Sequence, residues 1–163
     1  MRGYPGWEET DVVLKVDEAV KVIPELKRPK IGDVITPAKG LELCRVFELT
    51  DLVNRLSLRG SQYYEDWVYD GCSMIPDQML CEAITKQCLK HDLKYMYGER
   101  GKPAERKRAD QEFFLDLVNN AHTGYVIAVL FYSAVRLFGA EKFNKSFSWR
   151  SIGRINRIYW KVN

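Results

Sequence analysis

The spacing of apolar residues divides the chain into a short extended part and a longer helical part. Two β-branched runs, Asp11–Val16 and Val20–Ile23, are bounded by charged residues or proline. A series of proline and glycine residues then interrupts the pattern: Pro24, Pro29, Gly32, Pro37 and Gly40. This combination predicts extended or hairpin structure. From Leu41 onward apolar residues recur about every 3.6 residues, which predicts a helix that stops at Gly60.

Three further helices are predicted in the second half of the chain. A turn-rich segment from Trp67 leads to Asp77, whose side chain suits a helix N-cap. Pro103 suits the first turn of a helix, and Gly139 suits a helix end. The predicted helices cover Gln78 to about Tyr97, Pro103 to about Ala121, and Tyr125 to Phe138.

The last of these helices lies in an uncharged stretch between Asp116 and Arg136 that approaches the length of a bilayer span. Asn119, Asn120 and His122 occupy its first half, so the apolar part is only about a dozen residues long. We therefore expect a buried core helix and no transmembrane segment.

Composition limits the class of protein. A chain of 163 residues that is 46% hydrophobic and 29% charged is expected to fold as a globular protein with one main core. A net charge of +3 is too small to indicate nucleic-acid binding by itself. Four cysteines without a CxxC pair exclude the common zinc ribbons and fingers. Residues 1–20 are rich in charge, so no secretory signal is predicted there.

His91 is the strongest candidate for chemistry. On a helix, Cys88, His91 and Tyr95 lie on one face, and the next predicted helix offers Asp110. His91 precedes the turn at Arg100 by nine residues and Asp110 follows it by ten, so the two are expected to face each other in an antiparallel helix pair. A carboxylate on one ring nitrogen fixes the tautomer, and the other nitrogen can take a proton from water.

Oxygen ligands near His91 suggest a calcium site. Asp70 and Asp92 are carboxylates, and the Asp70–Ser73 turn offers backbone carbonyls, a ligand set that suits calcium. Cys72 and Cys88 are spaced so that a disulfide could hold this turn one helical turn from His91.

Three segments of the chain together resemble the secreted microbial phospholipase A2 family. They are Asp70-Gly71-Cys72-Ser73 with Pro76-Asp77, Cys88-Leu89-Lys90-His91-Asp92-Leu93-Lys94-Tyr95, and Arg108-Ala109-Asp110-Gln111-Glu112-Phe113-Phe114-Leu115-Asp116. The CxxHDxxY core is shared more widely among secreted phospholipases A2, and the Asp-x-Cys turn is typical of the microbial branch. The ending Ala134-Val135-Arg136-Leu137-Phe138-Gly139 is also similar to the last helix of that branch. The match covers roughly Trp67 to Gly139.

The resemblance implies a fold, an activity and a role for each matched position. The fold would be mainly α, with a phospholipase A2-like antiparallel helix pair, additional helices and a small extended or β N-terminal region. His91 would be the general base on water, Asp110 its orienting partner and Tyr95 a supporting residue. The implied calcium ligands are the carboxylates of Asp70 and Asp92 and the carbonyl of Gly71. The implied reaction is calcium-dependent hydrolysis of the sn-2 ester of glycerophospholipids to a fatty acid and a lysophospholipid.

The resemblance also suggests how the chain is divided. Residues 57–163 would form the catalytic domain with its C-terminal tail, and residues 1–56 an N-terminal extension without a counterpart in the family. Cys44 and Cys81 have no assigned role and are either free or paired with each other.

The C-terminal tail combines cations with aromatic residues and contains no acid after Lys142. One interpretation is a membrane-interface patch whose cations attract anionic headgroups. The alternative is a solvated basic tail whose aromatic rings pack on the core. The interface candidates are Lys145, Trp149, Arg150, Arg154, Arg157 and Trp160. A phospholipid membrane or micelle surface is the expected partner, and nucleic acid is not expected.

The sequence also allows two alternative interpretations. One is a catalytically inactive, phospholipase A2-like module that binds lipid or protein. The other is a structural protein that binds nucleic acid or holds zinc through Cys81, Cys88 and His91. Ser73 lacks a GxSxG context, which argues against a serine hydrolase, and His122 is expected to be non-catalytic. Calcium use and a Cys72–Cys88 bond would suit a secreted protein.

Overall fold

The computed structural model describes residues 28–60, 63–72, 81–121, 123–143 and 148–150. This part of the chain is mainly helical, with five α helices and a small two-stranded antiparallel sheet. The predicted class, mainly α with a small β element toward the N-terminus, is confirmed at this level.

The sheet joins the start of the described chain to the loop that precedes the central helix. β1 (Val34–Ile35) pairs with β2 (Trp67–Val68), with Val34 opposite Val68 and Ile35 opposite Trp67. The ladder continues beyond the strands, since Gly32 donates its N–H to the carbonyl of Tyr69 at 2.7 Å. The predicted extended runs Asp11–Val16 and Val20–Ile23 lie outside the described residues.

The single helix predicted between Leu41 and Gly60 is wrong, because two helices occupy this region: α1 (Pro37–Val46) and α2 (Thr50–Arg59). Glu48 adopts a left-handed conformation with φ 55°. Its N–H bonds to the carbonyl of Arg45, and the Leu49 N–H bonds to the carbonyl of Cys44. These two bonds form a Schellman motif, which ends α1 without a glycine.

α1 also begins earlier than predicted. Thr36 is the N-cap, and its hydroxyl accepts from the Lys39 N–H at 3.2 Å. Pro37 then occupies the first helical position, where its missing N–H costs no hydrogen bond. Pro37 and Gly40, which the sequence pattern placed in an interrupted extended segment, are therefore helical.

The remaining helices follow the prediction more closely. α3 spans Glu82–Tyr97, α4 spans Pro103–Asn119 and α5 spans Tyr125–Phe138, followed by a 3-10 turn at Glu141–Phe143. The ends of α3 and α5 and the start of α4 are confirmed. α3 begins later than predicted, with Cys81 as its N-cap, and the predicted cap Asp77 lies outside the described residues.

α3 lies between two hydrophobic clusters, which explains why most of its circumference is buried. On one side, Leu89, Leu93 and Met96 pack with residues of β1, α1 and α2. On the other side, Ile84 and Cys88 pack with residues of α4 and α5. The described part of the predicted N-terminal extension thus shares a core with α3, and α2 continues across the predicted boundary at residue 56.

α5 is not the buried core helix that its apolar sequence predicted. Ala128 is its single buried residue, whereas Val126, Leu130 and Leu137 are more than half exposed. The helix packs on α4 through one side, and its other side remains accessible to solvent. Within the described ranges, no helix combines the length and apolarity needed to cross a bilayer.

We expect Gly40→Ala to destabilise the fold, although alanine is normally the better helix residue by about 1 kcal/mol. A Cβ at Gly40 would lie 1.9 Å from the hydroxyl oxygen of Tyr97. That hydroxyl accepts from the Trp67 indole N–H at 3.0 Å, so the ring cannot move without losing a buried hydrogen bond. The free energy of unfolding should fall by about 1–3 kcal/mol, as measured by urea denaturation.

The matched control for this substitution is Gly124→Ala. No atom lies within 4 Å of a Cβ placed at Gly124. Gly124 is the N-cap of α5, where alanine is somewhat less favourable than glycine, so the free energy of unfolding should fall by no more than about 1 kcal/mol. Equal effects of the two substitutions would contradict the close packing of α1 on α3.

Candidate active site

A buried histidine and a buried aspartate meet between α3 and α4. His91 Nε2 lies 3.0 Å from Asp110 Oδ1, within hydrogen-bond distance. Further along the pair, Lys90 forms an ion pair with Asp116 at 2.8 Å, so the helices run antiparallel as residue counting from the turn predicted. The meeting of His91 and Asp110, on which the interpretation of the sequence depended, is present.

The His91 ring lies in an aromatic setting. It stacks on Phe113 with a centroid distance of 4.4 Å and touches Tyr95 at 4.2 Å. Only 6% of the residue is exposed. These rings restrain the imidazole plane, and the contact with Asp110 involves Nε2 rather than Nδ1.

Asp110 is fully buried, and hydrogen-bond donors from α3 and α5 compensate its charge. Oδ1 accepts from the Tyr95 hydroxyl at 2.6 Å as well as from His91, and Oδ2 accepts from Arg136 at 2.7 Å. Burial alone would raise the pKa of Asp110, but the hydrogen bonds and charges of these partners outweigh it and lower the pKa. Asp110 therefore stays ionised and can stabilise a positive charge on His91.

Sequence reasoning gave no role to two arginines that contact this carboxylate. Arg136 of α5 donates to Oδ2, and Arg106 of α4 lies 3.7 Å from the same oxygen. A signal for Arg136 was present in the sequence, since it is the single charge in an otherwise uncharged helix. A charged residue that is removed from water is almost always paired.

Tyr95, the predicted supporting residue, contacts His91 and hydrogen-bonds to Asp110. Burial, and then the nearby charge of Asp110, raise the pKa of the Tyr95 hydroxyl, so it remains protonated and donates to Asp110. Gly139 leaves room for it, since a Cβ there would lie 2.5 Å from the hydroxyl oxygen. The edge of the Trp149 ring packs on the tyrosine at 5.2 Å.

Trp149 and Arg150 are not exposed membrane-interface residues, which corrects the first interpretation of the tail. Trp149 is 2% exposed, its indole N–H donates to the carbonyl of Glu99, and Gly98 provides the space for its ring. Arg150 is partly buried, donates to the carbonyl of Met96 and lies over a tyrosine ring. Here the tail packs its aromatic residue on the core, as the alternative held.

The other interface candidates, Lys145, Arg154, Arg157 and Trp160, lie outside the described residues, as does His122.

A disulfide joins the β2–α3 loop to the helix that carries His91. Cys72 and Cys88 are bonded, with their Cα atoms 5.4 Å apart. A disulfide that closes a loop of this size stabilises the fold by about 3 kcal/mol, because it lowers the conformational entropy of the unfolded chain. Cys88 is therefore not available as a thiolate, which removes the zinc site with Cys81 and His91. Cys44 and Cys81 are free rather than paired, and burial raises the pKa of Cys44 to about 12.

The predicted calcium ligands Asp70, Gly71 and Asp92 lie around this disulfide. Asp92 is buried one helical turn after Cys88, and Asp70 and Gly71 directly precede Cys72. Gly71 has φ +74°, and a Cβ on it would meet the Ile31 side chain at 2.8 Å, so a larger residue at this position would strain the loop and displace Ile31.

Two carboxylates and a carbonyl are hard oxygen donors of the kind calcium prefers. In the part of the chain that the structure describes, no three His, Cys, Asp or Glu side chains gather to hold a metal. The predicted set contains only two such side chains, so it would not form a group of this kind. What favours calcium is the oxygen chemistry of the donors and the glycine turn that carries the Gly71 carbonyl.

Comparison with family models, with curated proteins and with solved structures found no match for this chain.

We expect the ionised Asp110 carboxylate to make the fold sensitive to acid. Its pKa is lower in the folded state than the value of about 3.9 for an unfolded aspartate. The carboxylate therefore stabilises the fold above pH 4 or so, and this contribution is lost as the pH falls further, toward the folded-state pKa. Urea denaturation followed by circular dichroism across this range measures the effect. Asp110→Asn should be less stable at neutral pH by about 2 kcal/mol and should show a shallower acid dependence; identical slopes would contradict the argument.

Arg136→Gln tests the contribution of α5 to the same cluster. Loss of a charged hydrogen bond to a buried carboxylate should cost about 2 kcal/mol. It should also raise the pKa of Asp110, so that acid destabilisation begins at a higher pH. Arg108→Gln, an exposed arginine of α4, is the control and should change stability by less than about 0.5 kcal/mol. A neutral effect of Arg136→Gln would mean that the ion pair contributes nothing to stability.

Proposed function

We propose that this protein is a calcium-dependent phospholipase A2 that hydrolyses the sn-2 ester of glycerophospholipids to a fatty acid and a lysophospholipid. The observation that carries the proposal is the 3.0 Å contact between His91 Nε2 and Asp110 Oδ1 on adjacent helices. The sequence motif CxxHDxxY supplies one partner, and the downstream aspartate supplies the other. The pairing of α3 with α4 is then the phospholipase A2-like helix pair.

His91 would act as the general base. Nδ1 takes a proton from a water molecule, which attacks the ester carbonyl, while Asp110 holds the proton on Nε2. The imidazolium that forms is stabilised by the buried charge of Asp110. His91 then returns the proton to the leaving alkoxide of the lysophospholipid, so the cycle consumes only water.

The loop next to the disulfide would hold calcium. Asp70 and Asp92 would provide carboxylate oxygens and Gly71 its carbonyl oxygen. When bound, calcium supplies a Lewis acid that anchors the substrate phosphate and stabilises the oxyanion of the tetrahedral intermediate. The Cys72–Cys88 bond keeps this loop beside α3, which is the task that the proposal gives it.

We also infer an oxidising, extracellular setting for this activity. The disulfide persists in such compartments, and calcium is abundant there.

Fatty-acid release from phospholipid vesicles tests the proposal. With a label in the sn-2 chain, we expect calcium-dependent release that a chelator abolishes. His91→Ala should lower the rate by more than about 100-fold, because general base catalysis typically contributes 10²–10⁴-fold. The matched control is His122→Ala, the same substitution at the other histidine, which should retain most of the activity.

The same assay separates the proposal from its alternatives. Release of the sn-1 chain, or hydrolysis that survives His91→Ala, would contradict the assigned reaction. Vesicle binding in calcium without any hydrolysis would indicate that the protein is an inactive lipid-binding module and not an enzyme. Circular dichroism of each variant ensures that a loss of activity reflects chemistry rather than unfolding.

A further inference from the structure

α5 is apolar along its whole length apart from one charged side chain. Between Tyr125 and Phe138 only Arg136 carries a charge. Its guanidinium is directed inward, to Asp110. The helix therefore presents no charge on its solvent-exposed side.

The outer face of α5 consists of Val126, Leu130, Ser133 and Leu137, which are spaced by four, three and four residues and so form one stripe. Val126 is 70% exposed, Leu130 59% and Leu137 65%. The three apolar members of this face leave surface in contact with water that an apolar partner would bury.

Exposed aromatic residues lie beside this outer face at both ends of α5. Tyr125 is exposed at the N-terminal end, and Phe138 and Phe143 are exposed at the C-terminal end. Tyrosine is favoured at the boundary between lipid and water, and exposed phenylalanine rings add apolar area that lipid would bury.

Two exposed lysines, Lys102 and Lys142, lie near the C-terminal end of α5. The Gly101 N–H donates to the Glu141 carboxylate at 3.0 Å, which joins the α3–α4 turn to the 3-10 turn after α5. The residues that follow, Lys102 and Lys142, are therefore brought to the same end of the molecule, and both are exposed. The acids near this turn, Glu99, Glu105 and Glu141, are each engaged by an arginine side chain or a backbone N–H. An apolar stripe with cations at its margin is complementary to an anionic lipid surface.

The size of the stripe argues against a second copy of the chain. A helix of 14 residues is about 21 Å long and about 10 Å wide, so its outer face covers about 200 Å². A stable protein interface buries about 800 Å² on each partner. A helix that lies flat in a membrane interface binds through its apolar face and through nearby cations, so a stripe of this size can contribute to membrane binding.

We propose that the outer face of α5 is the surface by which this protein docks on anionic phospholipid membranes, with Lys102 and Lys142 toward the headgroups. The inference concerns binding and holds whether or not the lipid is hydrolysed. It places the docking surface on α5 rather than on the C-terminal tail, whose Trp149 is buried.

Co-sedimentation with vesicles tests the docking surface. The His91→Ala protein is mixed, in chelator, with vesicles of equimolar phosphatidylcholine and phosphatidylglycerol, so that hydrolysis cannot alter the lipid. Adding Leu130→Glu or Leu137→Glu should weaken partitioning more than about tenfold, because a buried leucine is lost and a charge must enter the interface. Leu130→Gln, which adds no charge, should give a smaller loss in the same direction. Thermal unfolding verifies that each variant is folded.

Leu58→Glu is the matched control for the apolar stripe, because Leu58 is an exposed leucine on α2. It should partition within about twofold of the parent. Losses of similar size for Leu58→Glu and Leu130→Glu would overturn the assignment to α5.

A charge-reversed pair tests the role of the lysines. Lys102→Glu with Lys142→Glu should reduce binding to the anionic vesicles and leave the weaker binding to pure phosphatidylcholine unchanged. The control, Lys30→Glu with Lys86→Glu, changes the net charge equally at exposed sites elsewhere and should have a smaller effect. Equal effects of the two pairs would overturn the orientation.

Light scattering tests whether a second copy of the chain, rather than lipid, covers the outer face of α5. A monomer that binds vesicles through α5 supports the proposal. A dimer that Leu130→Glu converts to a monomer, with no vesicle binding by the parent protein, would assign this face to a second copy instead.

Discussion

The buried carboxylate of Asp110 is the interaction on which the rest of this structure depends. A charge removed from water is costly unless donors replace its hydration. Here the hydrogen-bond donors are His91 and Tyr95 from α3 and Arg136 from α5. Arg106 of α4 adds a positive charge 3.7 Å from the same carboxylate. All of these groups must reach the same carboxylate at bonding distance, so the carboxylate determines how the three helices are placed. The same requirement orients the imidazole of His91, which is why one contact serves both the fold and the proposed chemistry.

The parts of this arrangement that depend on local signals could be predicted from the sequence. Pro103 and Gly139 mark helix ends by fixed backbone properties, and both ends were located from them. The meeting of His91 with Asp110 followed from counting residues on either side of a short turn. Counting succeeds there because two helices joined by a tight turn are antiparallel. The position of the turn then determines which residues of the two helices face each other.

The parts that depend on tertiary packing could not be predicted in this way. The break between α1 and α2 rests on a left-handed Glu48, which no composition rule singles out. The burial of Trp149 depends on the space left by Gly98, far from it in sequence. For α5 the apolar pattern specified a helix but not what would cover it. Hydrophobicity indicates a tendency to be buried, and whether a partner element exists is decided elsewhere in the chain.

The ion pair between Arg136 and Asp110 also determines which side of α5 meets the solvent. An almost uniformly apolar helix can pack on its neighbour in several rotations with similar hydrophobic gain, because each rotation buries similar side chains. A single cation removes this freedom, since only one rotation brings it to the carboxylate. Once that rotation is set, the 3.6-residue repeat directs Val126, Leu130 and Leu137 outward. The exposed stripe is thus a consequence of the buried charge, and the surface proposed for lipid lies on the same helix that completes the Asp110 cluster.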